Sequence, residues 1–388
     1  MAFIQYIGRI QFDDGARGLL PNELARLKLR RPLIISDRGL EACGVLTAAL
    51  EHLDGTINMP QFLEVPSNPT EAAAQAALAV YRHGDCDGII AVGGGSPIDC
   101  AKAVALLATH DGPLESFLAR SAGESRITDA VAPIIAIPTT AGTGSEIGRG
   151  AGITLDSGEK EVFLSPNLVP RVAICDPELT HGLPAWLTAA TGIDAFSHAF
   201  EAYLSPAVNP PADAIALDAI RRLWEWLPRA VSDGTNREAR WNVMMGALEA
   251  AMTTWKGLGL SHALSMPFDD LGLHHGTVVG VLLPHTVGFL RTVVPAERMT
   301  AVSAALGSTP ESLSADLIAF TGRLSLPNGL QALGVDRSKL MDFSVLAAAS
   351  AFNGSAPGDA TAADYTQMAL EAMGPSRETL FDSRSTIG

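Results

Sequence analysis

Two side chains that commonly bind metal ions lie four residues apart in the stretch TGIDAFSHAFE, residues 191–201. They are Asp194 and His198, and the surrounding residues have the apolar periodicity of a helix. Side chains four residues apart on a helix share one face, one turn from each other. His262 and His275 follow in GLSHALSMP and LHHGTVVG. One carboxylate and three imidazoles suit a divalent transition metal such as Fe²⁺ or Zn²⁺.

The Asp194–His198 pair also has an ordinary interpretation, in which a helix carries a terminal carboxylate beside a core or surface histidine. His262 and His275 favour the metal, because both lie in apolar, glycine-containing stretches where a buried imidazole needs a polar partner.

The first part of the chain alternates short apolar runs with helical patterns. Buried strands are predicted in RPLIISD (31–37), CDGIIAVGGGS (86–96) and APIIAIPTTAGTGS (132–145), with a short extended segment in VAICDPEL (172–179). Between them, Ala-rich amphipathic segments such as TEAAAQAALAVYRHG (70–84) predict helices. Strand, helix and strand at this spacing indicate βαβ units and a parallel sheet.

Two loops of small residues follow predicted strands. GGGSPID (93–99) leads into a helical pattern, and glycines there let backbone N–H groups approach phosphates at a helix N-terminus. A plain tight turn is the alternative. TTAGTGSE (139–146) adds a second loop, and two loops at adjacent strand ends fit the ligand crevice of an open α/β sheet.

Asp37 ends the first strong strand pattern. A carboxylate at that place can accept hydrogen bonds from a ribose 2′-OH and would repel a 2′-phosphate, which favours NAD over NADP. The alternative is a helix N-cap before RGLEACG.

From Pro184 onward the patterns are helical, with Pro and Gly breaks. The predicted fold is an α/β dinucleotide-binding domain with a parallel sheet (residues 1–180), followed by an all-α, metal-binding domain (residues 181–388).

Composition limits the class of protein. A chain of 388 residues exceeds one hydrophobic core, so two domains are expected. The net charge of −15 argues against nucleic acid or an anionic membrane as partner. The four cysteines lack CxxC spacing, and the N-terminus lacks a signal-peptide pattern. The apolar run 278–290 is too short to span a bilayer, so we expect a cytoplasmic protein.

Taken together, these segments resemble the iron-containing (group III) alcohol dehydrogenase family. The matching stretches occur in the family's order and are SNPT (67–70), GGGSPID (93–99), PTTAGTGSE (138–146), CDPELT (175–180), TGIDAFSHAFE (191–201), GLSHA (259–263) and HHGTVVGVLLPH (274–285). Within the family, the opening MAFIQYIGRIQFDDGA, the stretch SEIGRGAGITLDSGEK and WKGLG are similar to 4-hydroxybutyrate dehydrogenases.

The resemblance implies an oxidoreductase that moves a hydride between NAD(H) and a small alcohol or aldehyde, in a homodimer or larger homo-oligomer. Fe²⁺, or Zn²⁺ or another divalent metal, would act as a Lewis acid on the substrate oxygen. The implied metal ligands are Asp194, His198, His262 and His275. The implied cofactor-binding residues are Asn68, Gly94, Gly95, Ser96, Asp99, Thr139, Thr140, Thr143 and Lys160, the last near the nicotinamide ribose and so also a catalytic candidate.

One position departs from the family pattern. The family usually has a further histidine four residues after the third ligand, where this chain has Met266. A thioether cannot relay a proton. His274, next to a ligand, is therefore our candidate for the relay, with a supporting or surface role as the alternative.

Two basic residues are candidates for recognising a carboxylate on the substrate. Arg149 follows the TTAGTGSE loop, and Lys256 shortly precedes His262. A guanidinium fork suits a carboxylate, which motivates a short hydroxy acid or its semialdehyde, such as 4-hydroxybutyrate. The alternative is a structural salt bridge in an acid-rich protein.

Four other functions fit parts of the pattern. Glycerol dehydrogenases and dehydroquinate synthases share the two-domain plan, although the PTTAGTGSE loop favours the alcohol dehydrogenases. A reductase of a phosphonate or sulfonate aldehyde also fits the basic residues. A non-catalytic nucleotide or metal sensor is supported by Met266 alone.

Overall fold

The computed structural model describes residues 8–53 and 59–374. The chain divides between Leu183 and Pro184 into two compact units, which we call the N-terminal unit and the C-terminal unit. The predicted parallel sheet in the first and the helical fold of the second are both confirmed.

The N-terminal unit contains a six-stranded sheet and a two-stranded hairpin. In chain order the strands are β1 (Arg9–Phe12), β2 (Leu33–Ile35), β3 (Gln61–Phe62), β4 (Ile89–Gly93), β5 (Ile134–Pro138), β6 (Gly150–Thr154), β7 (Lys160–Leu164) and β8 (Val172–Cys175). The large sheet has the order β1-β8-β5-β4-β2-β3, and every neighbouring pair is parallel. The hairpin of β6 and β7 is antiparallel.

Five helices accompany these strands: α1 (Leu20–Leu27), α2 (Arg38–Ala42), α3 (Val45–Leu50), α4 (Glu71–His83) and α5 (Gly95–Leu107). The central strands are buried on both faces, as parallel sheets require. In β4, Ile89 and Ala91 belong to one apolar cluster, whereas Ile90 and Val92 belong to the other. Alternate residues of one strand therefore contribute to a core on each side of the sheet.

The direction in which successive strands are added to the sheet reverses at β2. β3, the next strand along the chain, lies on the outer side of β2, whereas β4 lies on its inner side. In open α/β sheets a ligand binds beyond the carboxyl ends of the strands at such a reversal. The glycine turn after β4 and Asp37 after β2 both lie at this edge.

The structure differs from the sequence analysis at three places. The observed strands are shorter than the apolar runs that predicted them, and the hairpin of β6 and β7 was not predicted. Its strands GAGIT and KEVFL are only partly buried, so they lack the continuous apolar run of a central strand. Helix α5 begins at Gly95, inside the glycine run, rather than at Asp99.

The C-terminal unit contains ten helices within the described residues: α6 (Ala185–Leu204), α7 (Pro210–Ser232), α8 (Arg237–Thr253), α9 (Leu260–Ser265), α10 (His275–Val293), α11 (Ala296–Ala305), α12 (Leu313–Arg323), α13 (Leu340–Ala349), α14 (Ala351–Ser355) and α15 (Ala362–Glu371). Helix α6 is buried along almost all of its length from Thr188 onward.

Helices α6 and α10 approach each other through glycines. A Cβ on Gly276 would lie 2.1 Å from the Ala190 carbonyl oxygen, and one on Gly280 would lie 2.9 Å from Ile193. By length and apolar composition alone, α10 could cross a bilayer. Most of it is buried inside the unit, however, and we interpret it as a core helix.

Candidate active site

Three helices of the C-terminal unit bring four potential metal ligands together. Asp194 and His198 lie in α6, His262 lies in α9, and His275 is the first residue of α10. The three Nε2 atoms converge on Asp194 Oδ1, at 3.7 Å from His198, 3.6 Å from His262 and 3.8 Å from His275. Helix packing therefore joins residues that are up to 81 positions apart (275 − 194) in the sequence.

This arrangement fits a divalent metal ion. The three distances exceed hydrogen-bonding range, and Asp194 Oδ1 and His262 Nε2 are buried with no hydrogen-bond partner among the described residues. Two ligand atoms with metal bonds of about 2.1 Å lie at most about 4.2 Å apart. All three distances to Asp194 Oδ1 fall within that limit. The ligand atoms of Asp194, His262 and His275 lie within 4.8 Å of one another, so small side-chain movements would bring every pair within it, and His198 approaches Asp194 as a fourth ligand. A bound ion would satisfy these buried atoms.

Burial and the charges within the cluster shift the pKa values of its side chains. Burial opposes ionisation of Asp194, but the three histidines hold its pKa well below the ordinary value. Burial lowers the pKa of His198 to about 4. Burial also opposes protonation of His262, yet Glu201 and Asp194 outweigh it and raise its pKa to about 9. Because a metal requires a neutral imidazole, ion binding would release a proton from His262.

Glu201 is a functional candidate that the sequence analysis missed. Its carboxylate is buried in α6 and accepts a hydrogen bond from His262 Nδ1 at 2.6 Å. The signal was available, because Glu201 lies seven residues after Asp194 and so on the same helix face. Asp269 approaches the Nδ1 atom of His275 in a similar way, at 3.5 Å.

His274 lies next to the ligand His275, immediately before α10. It is exposed, and its ring packs edge-on against the exposed Trp186, with ring centroids 5.8 Å apart. Its role as a proton relay stays a prediction. Met266 directly follows α9, and Phe352 presents its ring to His262 at a centroid distance of 6.0 Å.

The surroundings of Lys256 argue against its predicted role in substrate binding. Its side chain is 1% exposed and forms an ion pair with Asp213, which Arg298 also binds at 3.0 Å. A buried ammonium with a carboxylate partner has little reason to leave it for a substrate. The geometry therefore supports the alternative, a structural salt bridge, and a role of Lys256 in substrate binding stays an untested prediction.

In the N-terminal unit, the predicted phosphate loop is built from three successive glycines. Gly93 has a φ of +151°, and a Cβ there would lie 2.4 Å from Pro97. A Cβ on Gly94 would lie 3.2 Å from the Thr140 side chain, and a Cβ on Gly95 would lie 3.0 Å from the Thr143 side chain. The turn and the threonine loop are therefore in direct contact, and side chains at these positions would separate them.

The start of α5 can receive an anion. Its N-cap residue is Gly94, and no side chain caps the first turn. The first N–H groups of a helix lack partners within the helix and attract phosphate. The Ser96 hydroxyl is already used, because it donates to the Ser67 carbonyl beside the exposed Asn68. At Ser96, the backbone is thus the better candidate for a phosphate contact.

Asp99 connects the two predicted cofactor loops. One carboxylate oxygen accepts from the Ser145 hydroxyl at 2.7 Å, and the other accepts from the Gly152 N–H at 2.9 Å. The backbone N–H of Thr139 donates to the Gly93 carbonyl at 3.0 Å. These contacts hold the loops in register, whereas direct binding of the cofactor by Asp99 and Thr139 stays a prediction.

The remaining predicted residues lie on different parts of the N-terminal unit. Asp37 caps α2 by accepting from the Leu40 N–H at 2.9 Å, so the N-cap interpretation is correct, and contact with a ribose stays a prediction. Lys160 begins β7, where it pairs with Thr154 of β6. Arg149 directly precedes β6, and its carbonyl accepts from the Ser165 N–H at 3.0 Å.

Comparison with known proteins identifies relatives across both units. The family model described as iron-containing alcohol dehydrogenase matches residues 8–177, and that of the C-terminal part of the Fe-containing alcohol dehydrogenase family matches residues 188–373. A 4-hydroxybutyrate dehydrogenase of Cupriavidus necator is 45% identical, over 96% of this chain and 100% of that protein. A 1,3-propanediol dehydrogenase of Klebsiella pneumoniae is 37% identical, over 89% of this chain and 91% of that protein.

Solved structures agree with these relatives. A 1,3-propanediol oxidoreductase superposes with a TM-score of 0.92 at 31% identity, covering 96% of this chain and 100% of that one. The sulfoacetaldehyde reductase of Bifidobacterium kashiwanohense, solved with NAD⁺, superposes with a TM-score of 0.89 at 25% identity, covering 97% of this chain and 100% of that one.

Proposed function

This chain belongs to the iron-containing alcohol dehydrogenase family, and we propose that its substrates are a short ω-hydroxy acid and the matching semialdehyde. It is an NAD-dependent oxidoreductase of the iron type, which transfers a hydride between NAD(H) and a small alcohol or aldehyde. The observation that carries the substrate proposal is the 45% identity to a 4-hydroxybutyrate dehydrogenase along its whole length.

Different residues of the chain would bind the metal ion and the cofactor. Asp194, His198, His262 and His275 would hold the metal ion, since they fit one by distance, burial and donor type. A divalent ion bound there supplies a Lewis acid for the substrate oxygen. The uncapped start of α5 would bind the cofactor phosphates through backbone N–H groups.

For the substrate carboxylate we propose Arg149, which follows the threonine loop and directly precedes β6. This part of the chain carries the predicted cofactor contacts. A guanidinium can bind a carboxylate through two parallel hydrogen bonds. Hydrogen bonds to charged groups contribute about 1.5–3 kcal/mol, which corresponds to a preference of roughly 10- to 150-fold for an acidic substrate.

The test is NADH oxidation by protein loaded separately with Fe²⁺ and Zn²⁺, using succinic semialdehyde and butanal as a pair that differs in the terminal carboxylate. We expect kcat/KM to be at least about tenfold higher for succinic semialdehyde. Arg149→Ala should remove the preference by raising KM for the acid alone, and Arg149→Lys should restore only part of it. Equal kcat/KM values for both aldehydes in the wild type would refute the proposal.

A second candidate is a reductase of another anionic aldehyde. The similarity to a sulfoacetaldehyde reductase supports it, and the same guanidinium chemistry would serve a sulfonate or a phosphonate. Adding sulfoacetaldehyde and a phosphonate aldehyde to the panel separates the two candidates by kcat/KM. NADH binding without oxidation by any aldehyde would instead favour a sensor.

We also propose that the chain works in the cytoplasm as a homodimer or larger homo-oligomer. The four cysteines, Cys43, Cys86, Cys100 and Cys175, are all free thiols, which is the usual state in a reducing compartment. The family resemblance supports the oligomer. Cell fractionation and light scattering after size-exclusion chromatography would test the two statements.

A further inference from the structure

A buried carboxylate outside the ligand set connects two of the helices that carry metal ligands. Glu201 lies in α6, seven residues after Asp194, and is 4% exposed. Its Oε2 atom lies 2.6 Å from His262 Nδ1, on the side of the imidazole ring opposite the ligand atom Nε2. Among the described residues, this is the shortest contact to an Nδ1 atom of the cluster.

The hydrogen bonds around Glu201 define its charge state. Oε2 also accepts from the Gly259 N–H at 2.8 Å, while Oε1 accepts from the Ser261 N–H and the Ser261 hydroxyl, each at 2.6 Å. The two N–H groups and the hydroxyl already give the two oxygens three hydrogen bonds, which favours the carboxylate form of Glu201. A carboxylate requires His262 to donate through Nδ1–H. Once the other ring proton is released on metal binding, this tautomer leaves the Nε2 lone pair free for the ion, on the side of Asp194 Oδ1.

Charge balance gives Glu201 a second role. Asp194 and Glu201 each contribute one negative charge inside a buried region, while three neutral imidazoles contribute none. A divalent cation offsets the charges of these two buried carboxylates, whereas Asp194 alone would leave a net charge of +1 among the buried groups. Asp269, near His275 Nδ1, is only partly buried, so solvent screens its charge. A buried net charge is strongly unfavourable, so the second carboxylate should favour binding of the ion.

We propose that Glu201 is a positioning residue that fixes the tautomer of His262 and supplies the second charge that balances the metal ion. It does not touch the substrate oxygen, and it acts through His262. Carboxylates that orient a metal-binding histidine typically change metal affinity by 10- to 100-fold. This inference rests on the metal-dependent function proposed above.

The experiment measures Zn²⁺ affinity of the metal-free full chain by competition with a chromophoric chelator, and the visible spectrum of bound Co²⁺. The variants are Glu201→Gln, which keeps the shape and removes the charge, and Glu201→Asp, which keeps the charge and shortens the reach. The matched control is Glu249→Gln, a similar change at a mostly buried glutamate of α8 that pairs with Arg222 at 3.3 Å.

We expect Glu201→Gln to weaken Zn²⁺ binding by about 10- to 100-fold and to shift the Co²⁺ bands. Glu201→Asp should lie between it and the wild type, and Glu249→Gln should bind like the wild type. A Glu201→Gln affinity within twofold of the wild type, or an equal loss in Glu249→Gln, would overturn the proposal. If Glu201→Gln does not fold, an unchanged affinity in Glu201→Asp would overturn it as well. Failure of the wild type to bind Zn²⁺, Fe²⁺ or Co²⁺ would instead refute the metal-dependent function itself.

Discussion

Replacing Gly276 by alanine should weaken metal binding without touching any ligand atom. Gly276 follows the ligand His275 in α10, and an added Cβ would lie 2.1 Å from the carbonyl oxygen of Ala190 in α6. It would also lie 3.1 Å from the Cβ of Asp194. The obstacle is backbone, so no side-chain rotation can relieve the clash.

The size of the effect follows from this geometry. Contacts of a Cβ below 3.0 Å are essentially never seen, so the backbones must separate by at least about 0.9 Å (3.0 − 2.1). Metal–ligand distances tolerate only about 0.2 Å. The metal-free variant relaxes by moving α10, and ion binding must then reverse that movement. Overpacking of this kind costs about 1–3 kcal/mol, which corresponds to roughly 5- to 150-fold in affinity.

Gly288 is a matched control on the same helix. It is exposed, and an added Cβ there meets nothing within 4 Å. Gly288→Ala should leave metal affinity unchanged and raise stability by about 0.5–1 kcal/mol, because alanine favours the helix. Zn²⁺ affinity by chelator competition and the melting temperature by calorimetry give both quantities. A Gly276→Ala affinity within twofold of the wild type, or an equal change in both variants, would refute the reasoning.

Three further predictions concern other parts of the chain. Gly95→Ala should raise the dissociation constant for NADH about tenfold, because the added Cβ would lie 3.0 Å from the Thr143 side chain. Fluorescence titration measures this constant, and unchanged NADH binding would contradict the proposed position of the cofactor phosphates. Lys256→Ala should destabilise the protein by about 1–3 kcal/mol, since Asp213 would then pair with Arg298 alone. The ratio of kcat/KM for succinic semialdehyde to kcat/KM for butanal should stay constant, and a fall in that ratio would indicate that Lys256 contacts the substrate. Removing the metal with a chelator should lower the melting temperature by roughly 3 °C relative to protein at about 100 times the dissociation constant. This follows from a difference of about 2.7 kcal/mol and an unfolding entropy of about 2.1 cal/mol/K per residue over 388 residues. No shift on removal or on adding Fe²⁺ would argue against the site.

The sequence alone determined the features that depend on local patterns. The apolar runs around β4 and β5 predict a buried parallel sheet, because a strand covered on both faces must be apolar throughout. The Asp194–His198 spacing places two ligand types on one helix face, and helical geometry ensures this before any packing occurs. The hairpin of β6 and β7 was missed, because the glycine-containing β6 and the partly buried β7 lack such a pattern.

Only the tertiary structure decided which distant groups meet. Lys256 and His262 are six residues apart and equally plausible near a substrate, yet Lys256 pairs with Asp213, 43 residues earlier. Glu201 acquires its importance from His262, 61 residues later. The physical reason is that periodicity records whether a side chain is buried, whereas its partner depends on which helix packs against it. Charged groups make this most evident, because each buried charge requires a specific partner that no local pattern identifies.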